Sequence, residues 1–380
     1  MNVNYSRWMA GIDDETYVSE ISLPGTHNSA ACFKIAAPSV QCQGKGILEQ
    51  LQHGVRFLDI RLSKDYMSRG EHVNDLMVVH GKFPVRLTGS YKFKKVLNDL
   101  YNFLESNPTE TVMVSVKFEN TMLNWNPKTD EFAKVLFQKY IAHHRDRWYL
   151  SDKIPTLKYA RGKALLLRRF SVLEHGVYKR FGIPFLWNLS NSTHDGDSIC
   201  VQDFCDIKCT EDLSKKVDMI KHVIEKAKTY HGNGNGNGSG SMNINDVEST
   251  SSRKTSDSTH SKRKLSNTTT LSNATTMTNA SPFSSCTSFV STGESTASTQ
   301  SSQEEIKHVK ISREPKLFVN FCSGANYLQR NLWPSKVDKA LRGHNIEDLF
   351  TKNCGTLVID FADRDNWKLV KKLVNVNFPC

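Results

Sequence analysis

The stretch ISLPGTHNSA, residues 21–30, carries His27 and Asn28 out of a short apolar run that ends in a Pro-Gly turn. A histidine in that position either caps a strand or does chemistry, and what else the chain brings beside it decides which. Other short apolar runs end in, or run into, Asp59 with Arg61, His80, Lys117, Arg168 with Arg169, Asp203, Asn320 with Ser323, and Asp360. Singly, each has a plain structural reading: a hydrogen-bonded histidine, or an Arg–Asp salt bridge. Together they make two imidazoles, several fixed cations and three carboxylates, a set suited to displacement at a phosphodiester without a metal. One neutral imidazole takes the proton of an attacking hydroxyl, and a protonated one gives a proton to the departing alkoxide. A guanidinium holds the non-bridging oxygens, where charge builds in the transition state. A carboxylate behind an imidazole fixes its tautomer.

Such groups work only if the chain gathers them. The apolar runs 20–27, 55–62, 76–81, 111–118, 163–170, 198–204, 316–324 and 355–363 read as strands, and helix-like patterns lie between several of them. KGILEQLQHG precedes the second run, YKFKKVLNDLYNFLESNP the fourth and TDEFAKVLFQKYIAHH the fifth, while TEDLSKKVDMIKHVIEKAKTY follows the sixth. Eight strands alternating with helices predict an α/β fold, a distorted (β/α)8 barrel of the TIM type, whose strands deliver their carboxyl ends to one mouth. A doubly wound sheet is the competitor, but no G-x-G-x-x-G follows an early strand.

Between residues 231 and 310 the composition changes to Ser, Thr, Asn and Gly, with almost nothing that could bury a core, and the sequence predicts a disordered insertion there. The barrel is therefore expected from residues 1–230 and 311–380. The insertion holds seven Lys and Arg against six Asp and Glu, so nearly all of the formal charge of +11 belongs to the barrel. That balance suits an anionic partner. The opening residues lack a secretory apolar core, and no run approaches a membrane span. Nine cysteines without zinc-finger spacing read as reduced thiols, so a cytoplasmic, peripherally membrane-associated protein is expected.

At these residues the chain resembles the phosphatidylinositol-specific phospholipase C family in its bacterial-type single-domain form. The matching stretches are SLPGTHNSA, CFKIAAP, GVRFLDIRL, VVHG, LNDLYNFLESNPTETVMVSVK, RGKALLLRRF, VQDF, VNFCSG and LVIDF, in the family's order. PGTH alone is weak; PGTH, then D-x-R, then VVHG at these separations is specific. The resemblance implies cleavage of phosphatidylinositol to diacylglycerol and inositol 1,2-cyclic phosphate by attack of the substrate's own 2-hydroxyl. It makes His27 the general base, His80 the general acid and Arg61 the phosphate-holding arginine. Asp59 falls in the same site, and Asp360 backs the base. Lys117, Arg169 and Asp203 fall where the family grips inositol hydroxyls, with Arg168 the alternative to Arg169; strand alternation with inward Leu165 and Leu167 favours Arg169.

Two positions depart from the pattern. Asn28 stands where bacterial members carry an aspartate that orients the acid histidine, and Cys205 stands where an aromatic often frames the inositol ring. Larger eukaryotic relatives bind Ca²⁺ through an asparagine after the first histidine, but here Arg61 and Lys117 occupy the room of its oxygen ligands, so a Ca²⁺-independent, metal-free site is expected. Phe33, Ile35, Val40, Tyr327, Leu328, Leu332 and Trp333 are candidate contacts with a phosphatidylinositol-containing membrane, although Leu332 and Trp333 fit an interior equally well. No motif supports nucleic-acid binding, and no protein partner is evident. The competing functions are a non-catalytic phosphoinositide-binding scaffold and a glycerophosphodiester phosphodiesterase, and Arg61 argues against the acidic metal pairs of the latter.

Overall fold

Strand residues point alternately to opposite faces, and in this chain both faces are apolar, as expected for parallel strands covered by helices. The computed structural model describes residues 3–34, 39–86, 88–119, 125–126, 128–187, 193–232 and 314–379. One curled sheet dominates them. Its strands are β1 (Leu23–Thr26), β2 (Phe57–Lys64), β3 (Leu76–His80), β4 (Phe83–Pro84), β5 (Val112–Phe118), β6 (Trp148–Tyr149), β7 (Ala164–Arg169), β8 (Ile183–Pro184), β9 (Thr193–Asp195), β10 (Ile199–Gln202), β11 (Leu317–Cys322) and β12 (Thr356–Ile359). Parallel pairing runs β8-β7-β5-β2-β1-β12-β11-β10, which gives the eight staves of a distorted (β/α)8 barrel. Among the described residues no ladder joins β8 to β10; β10 pairs instead with β9, antiparallel.

All eight expected runs form strands, but one is not a stave. The run at 76–81 becomes β3, which folds back antiparallel on the end of β2 and pairs with β4. The missing stave is β8, whose two residues are too few to show a period.

Helices cover the outer face. They are α1 (Ile47–Gln52), α2 (Phe93–Ser106), α3 (Glu131–Val135, continuing as wider turns to Ile141), α4 (Leu157–Ala160), α5 (Glu211–Gly232), α6 (Pro334–Gly343) and α7 (Arg364–Asn375). In α2 the buried residues Phe93, Val96, Leu97, Leu100 and Leu104 recur at helical spacing, a stripe that packs on the outward side chains of β2 and β5. The inward residues Leu23, Phe57, Met113, Leu165, Val201, Val319 and Val358 form a second core that fills the barrel's lower half. Each large buried apolar side chain contributes about 1.5–3 kcal/mol. Below His27, a Cβ on Gly25 would sit 3.0 Å from Phe57 and 3.2 Å from Val358, so glycine lets β1 close against its neighbours. At the opposite end the fully buried pair Arg56–Glu110, 2.6 Å apart, seals the floor.

Candidate active site

Above the apolar layer, the next inward positions are polar: His27 after β1, Asp59 and Arg61 on β2, Ser115 and Lys117 on β5, Arg169 on β7, Asp203 after β10 and Asp360 after β12. Register sets them level. Arg61 lies opposite Lys117, and Lys117 opposite Arg169, so three cations stand side by side on adjacent strands. Strands lie about 4.8 Å apart, and like charges at that spacing repel unless anions separate them. Three carboxylates do so. Asp59 accepts from Arg61 at 3.1 Å and lies 3.5 Å from Arg169. Glu119 accepts from Lys117 at 2.7 Å and lies 3.8 Å from Arg61. Asp203 accepts from Arg169 at 3.2 Å and from the indole N–H of Trp187 at 3.3 Å. Burial pushes the Asp59 carboxyl up, but the guanidinium groups of Arg61 and Arg169 outweigh it and hold it well below the usual carboxylate range. Burial likewise lowers Lys117, helped by Arg61 and Arg169.

His27 joins this row from the side of Asp360. Its Nδ1–H donates to Asp360 at 2.8 Å, and its Nε2 accepts from the Asn28 side-chain amide at 2.9 Å. The two bonds fix the tautomer with the lone pair on Nε2. Burial and then Arg61 hold the imidazole well below its ordinary pKa, so it is neutral and basic at Nε2. Burial raises Asp360, which keeps the pair from adding net charge to the cavity. The Gln43 amide donates to the carbonyls of His27 and Ile359, clamping the ends of β1 and β12.

His80 arrives by a different route. The β3–β4 hairpin brings it back over the mouth, where its ring lies 6.0 Å from that of His27, nearly perpendicular. Its Nδ1–H donates to the Val40 carbonyl at 2.8 Å, and Nε2 accepts from the Tyr327 hydroxyl at 2.8 Å. Burial, and then Arg61, push its pKa down to about 4.

The structure thus brings together His27, Asn28, Asp59, Arg61, His80, Lys117, Arg169, Asp203 and Asp360. Arg168 does not join them: it points outward and donates to the carbonyls of Phe170 and Lys179. Asn320 also faces outward, to the Ile220 carbonyl of α5. Asn28 was expected to steady His80, but its amide donates to His27, and the Val40 carbonyl orients His80 instead. Neither Glu119 nor Trp187 is expected from the sequence, and Tyr327 is expected only as a membrane contact, whereas its hydroxyl donates to His80. Glu119 was findable, since it continues the alternation of Ser115 and Lys117. Trp187 lies 3.7 Å from the Arg169 guanidinium and supplies an aromatic wall near Asp203, beside the expected gap at Cys205.

The candidate membrane contacts also divide. Val40 and Leu332 are buried, Phe33 packs on Tyr91, and Trp333 is half-buried with its indole N–H on the Tyr327 carbonyl. Ile35 lies outside the described residues. Tyr327 is exposed, and Leu328 is 95% exposed. No described helix is long and apolar enough to cross a membrane.

The fold and site define a parallel-stranded α/β barrel whose mouth holds two imidazoles beside a row of two arginines and a lysine, each paired with a carboxylate. Residues 25–170 match the family Phosphatidylinositol-specific phospholipase C, X domain. The chain is 33% identical over 197 residues to the 1-phosphatidylinositol phosphodiesterase of Listeria monocytogenes, a match covering 48% of this chain and 56% of that relative. It is 29% identical over 239 residues to the Staphylococcus aureus protein of the same name, covering 58% and 70%. The fold matches a solved structure of the Staphylococcus aureus phosphatidylinositol-specific phospholipase C with a TM-score of 0.64 at 19% identity, over 99% of this chain and 98% of that one. Residues 25–170 are thus similar to the phosphatidylinositol-specific phospholipase C X domain, and the chain spans about half the length of the Listeria relative.

Proposed function

We propose that this protein cleaves phosphatidylinositol to diacylglycerol and inositol 1,2-cyclic phosphate without a metal cofactor. The observation that carries the reading is the placing of His27 and His80, rings 6.0 Å apart, beside Arg61. His27 Nε2 takes the proton of the inositol 2-hydroxyl as that oxygen attacks phosphorus. Arg61 holds the non-bridging oxygens, and His80 Nε2 gives its proton to the departing glycerol oxygen. The Tyr327 hydroxyl vacates Nε2 when that oxygen arrives. Because nucleophile and phosphorus share one molecule, the attack avoids a bimolecular entropy cost of about 7–11 kcal/mol. Asp360 holds the His27 tautomer, while Lys117, Arg169 and Asp203 line the place for inositol hydroxyls. The oxygens a Ca²⁺ ion would need are engaged: Asp59 by Arg61, Glu119 by Lys117.

The catalytic barrel comprises residues 1–230 and 311–380, with 231–310 inserted. The loops at the carboxyl ends of its strands carry exposed Val177, Leu186, Tyr327 and Leu328, which favours peripheral docking on an anionic cytoplasmic membrane face. The test is one assay with phosphatidylinositol vesicles and chelator, following soluble cyclic phosphate. Wild type releases it. His27→Ala and His80→Ala each fall by about 10²–10⁴-fold. Vesicle binding without release by wild type would overturn the catalytic reading and leave a scaffold. Activity that vanishes with chelator and returns with Ca²⁺ would overturn the metal-free mechanism.

A further inference from the structure

Cys42 has no part in the chemistry above, yet its thiol is fully buried in the same cavity. One ring nitrogen of His27, the Cys42 sulfur and a carboxylate oxygen of Asp360 all lie within 4.8 Å of one another. The Asn28 amide nitrogen sits 2.9 Å from His27 Nε2 and 3.7 Å from Cys42 Sγ, so an electron-poor group already occupies the space between nitrogen and sulfur. A second observation is independent of the thiol: Asp360 is completely buried, and its Oδ2 has no hydrogen-bond partner. A buried carboxyl oxygen without a partner is costly, and a cation relieves it.

We propose that His27, Cys42 and Asp360 form an inhibitory site for a thiophilic divalent cation of the Zn²⁺ class. Zinc takes Cys at about 2.3 Å, and His and carboxylate at about 2.0–2.2 Å, so tetrahedral ligands stand roughly 3.3–3.7 Å apart. The ligand atoms must therefore close from within 4.8 Å by about 1 Å, with the Asn28 amide giving way to the ion. The protons of the Cys42 thiol and the Asp360 carboxyl pass to solvent as the Zn–S and Zn–O bonds form, and thiolate plus carboxylate then cancel the ion's charge beside Arg61. Ca²⁺ and Mg²⁺, which demand six or more oxygens, find one sulfur and one nitrogen and are refused. The fourth position is open to water or a phosphate oxygen. The ion takes His27 out of service, so the site that needs no metal is blocked by one. This consequence rests on the function proposed above; the binding does not.

The experiment uses the full chain stripped with chelator. Calorimetry with Zn²⁺, and Cd²⁺ titration followed through the ultraviolet thiolate-to-metal charge-transfer band, should both give one equivalent at this site. Cys42→Ser abolishes the band's first equivalent and weakens Zn²⁺ by about 100-fold or more, whereas Cys209→Ser, at an exposed cysteine, changes neither. Asp360→Asn keeps the thiol and serves as the second variant should Cys42→Ser fold poorly; it weakens Zn²⁺ by about 10–100-fold. Zn²⁺ stops phosphatidylinositol cleavage by wild type, chelator restores it, and Cys42→Ser needs correspondingly more Zn²⁺. An unchanged first equivalent in both Cys42→Ser and Asp360→Asn overturns the site. A wild type that binds Zn²⁺ as described but never cleaves the lipid overturns the proposed function and leaves the site standing.

Discussion

At the scale of single residues, the two imidazoles differ less in their pKa than in what holds them. Both are buried beside Arg61, and both are pushed toward the neutral form, His80 to about 4. Neutrality suits the base and handicaps the acid. In the free protein the fraction of His80 carrying a proton falls tenfold for each pH unit above its pKa. A bound phosphodiester places a negative charge between the rings and raises His80 again. The profile of kcat/KM, which reports the free protein, should therefore fall along an alkaline limb that begins below pH 6.5, while kcat holds to higher pH. A kcat/KM maximum above pH 8 would sink this account. Stability runs the other way. Below the ordinary histidine pKa of 6.5 the unfolded chain binds protons that the folded His27 and His80 refuse, so stability is lost as pH falls. Urea midpoints measured from pH 7 to pH 5 should decrease, and His80→Gln should flatten part of that slope.

At the scale of elements, alternation along the strands explains most of what could be read in advance. Each long stave carries apolar inward residues low down and a polar one at the top, as Leu165, Leu167 and Arg169 do on β7, and so Arg169 was preferred over Arg168 from the sequence. Trp187 reaches the site after the two-residue β8, and the seating of His80 depends on the carbonyl of Val40 and the folding-back of β3, features that have no period to read. Lys216 escaped for another reason. It lies on α5, where a lysine reads as solvated surface, yet it is fully buried and its ammonium donates to the Phe204 carbonyl at 2.6 Å and to Gln202 Oε1 at 3.2 Å. Those acceptors flank Asp203, so Lys216 holds the turn that presents Asp203 to Arg169. Burial lowers its pKa. Lys216→Met keeps the volume but leaves the Phe204 carbonyl unpaired, at about 1–3 kcal/mol, while Gln202 Oε1 keeps the bond from the Phe204 N–H at 2.7 Å; removing a buried charge offsets part of the loss. Urea unfolding should show a net loss of less than about 3 kcal/mol. Assays should show KM rising more than kcat falls, because the turn shapes substrate contacts and leaves the imidazoles alone. A Lys216→Met protein with unchanged KM would remove the link to Asp203.

At the scale of the whole molecule, the sequence marks where the barrel is interrupted, but the closing of the break is visible only in three dimensions. The chain leaves the described barrel at Gly232, the end of α5, and re-enters at Glu314, just before β11. These points are neighbours in space, since the Tyr230 hydroxyl donates to the Glu314 carbonyl at 2.7 Å. Asp195 adds a clasp, taking Lys316 at 2.7 Å and Lys226 of α5. A junction whose ends are held together by the barrel itself does not depend on what lies between them. Loop closure costs about 0.6 kcal/mol for each doubling of length, so replacing residues 233–313 by about ten residues of Gly and Ser removes three doublings, or about 2 kcal/mol of entropy. The shortened protein should unfold at a urea concentration equal to or above that of the full chain and should cleave phosphatidylinositol at a kcat within about threefold of it, an energetic difference near 0.65 kcal/mol. Salt will separate this prediction from a role in membrane docking. The formal charge lies almost wholly outside 231–310, so vesicle binding by both forms should weaken alike as ionic strength rises. If the shortened protein unfolds earlier, or loses vesicle binding that the full chain keeps, then residues 233–313 are part of the working molecule.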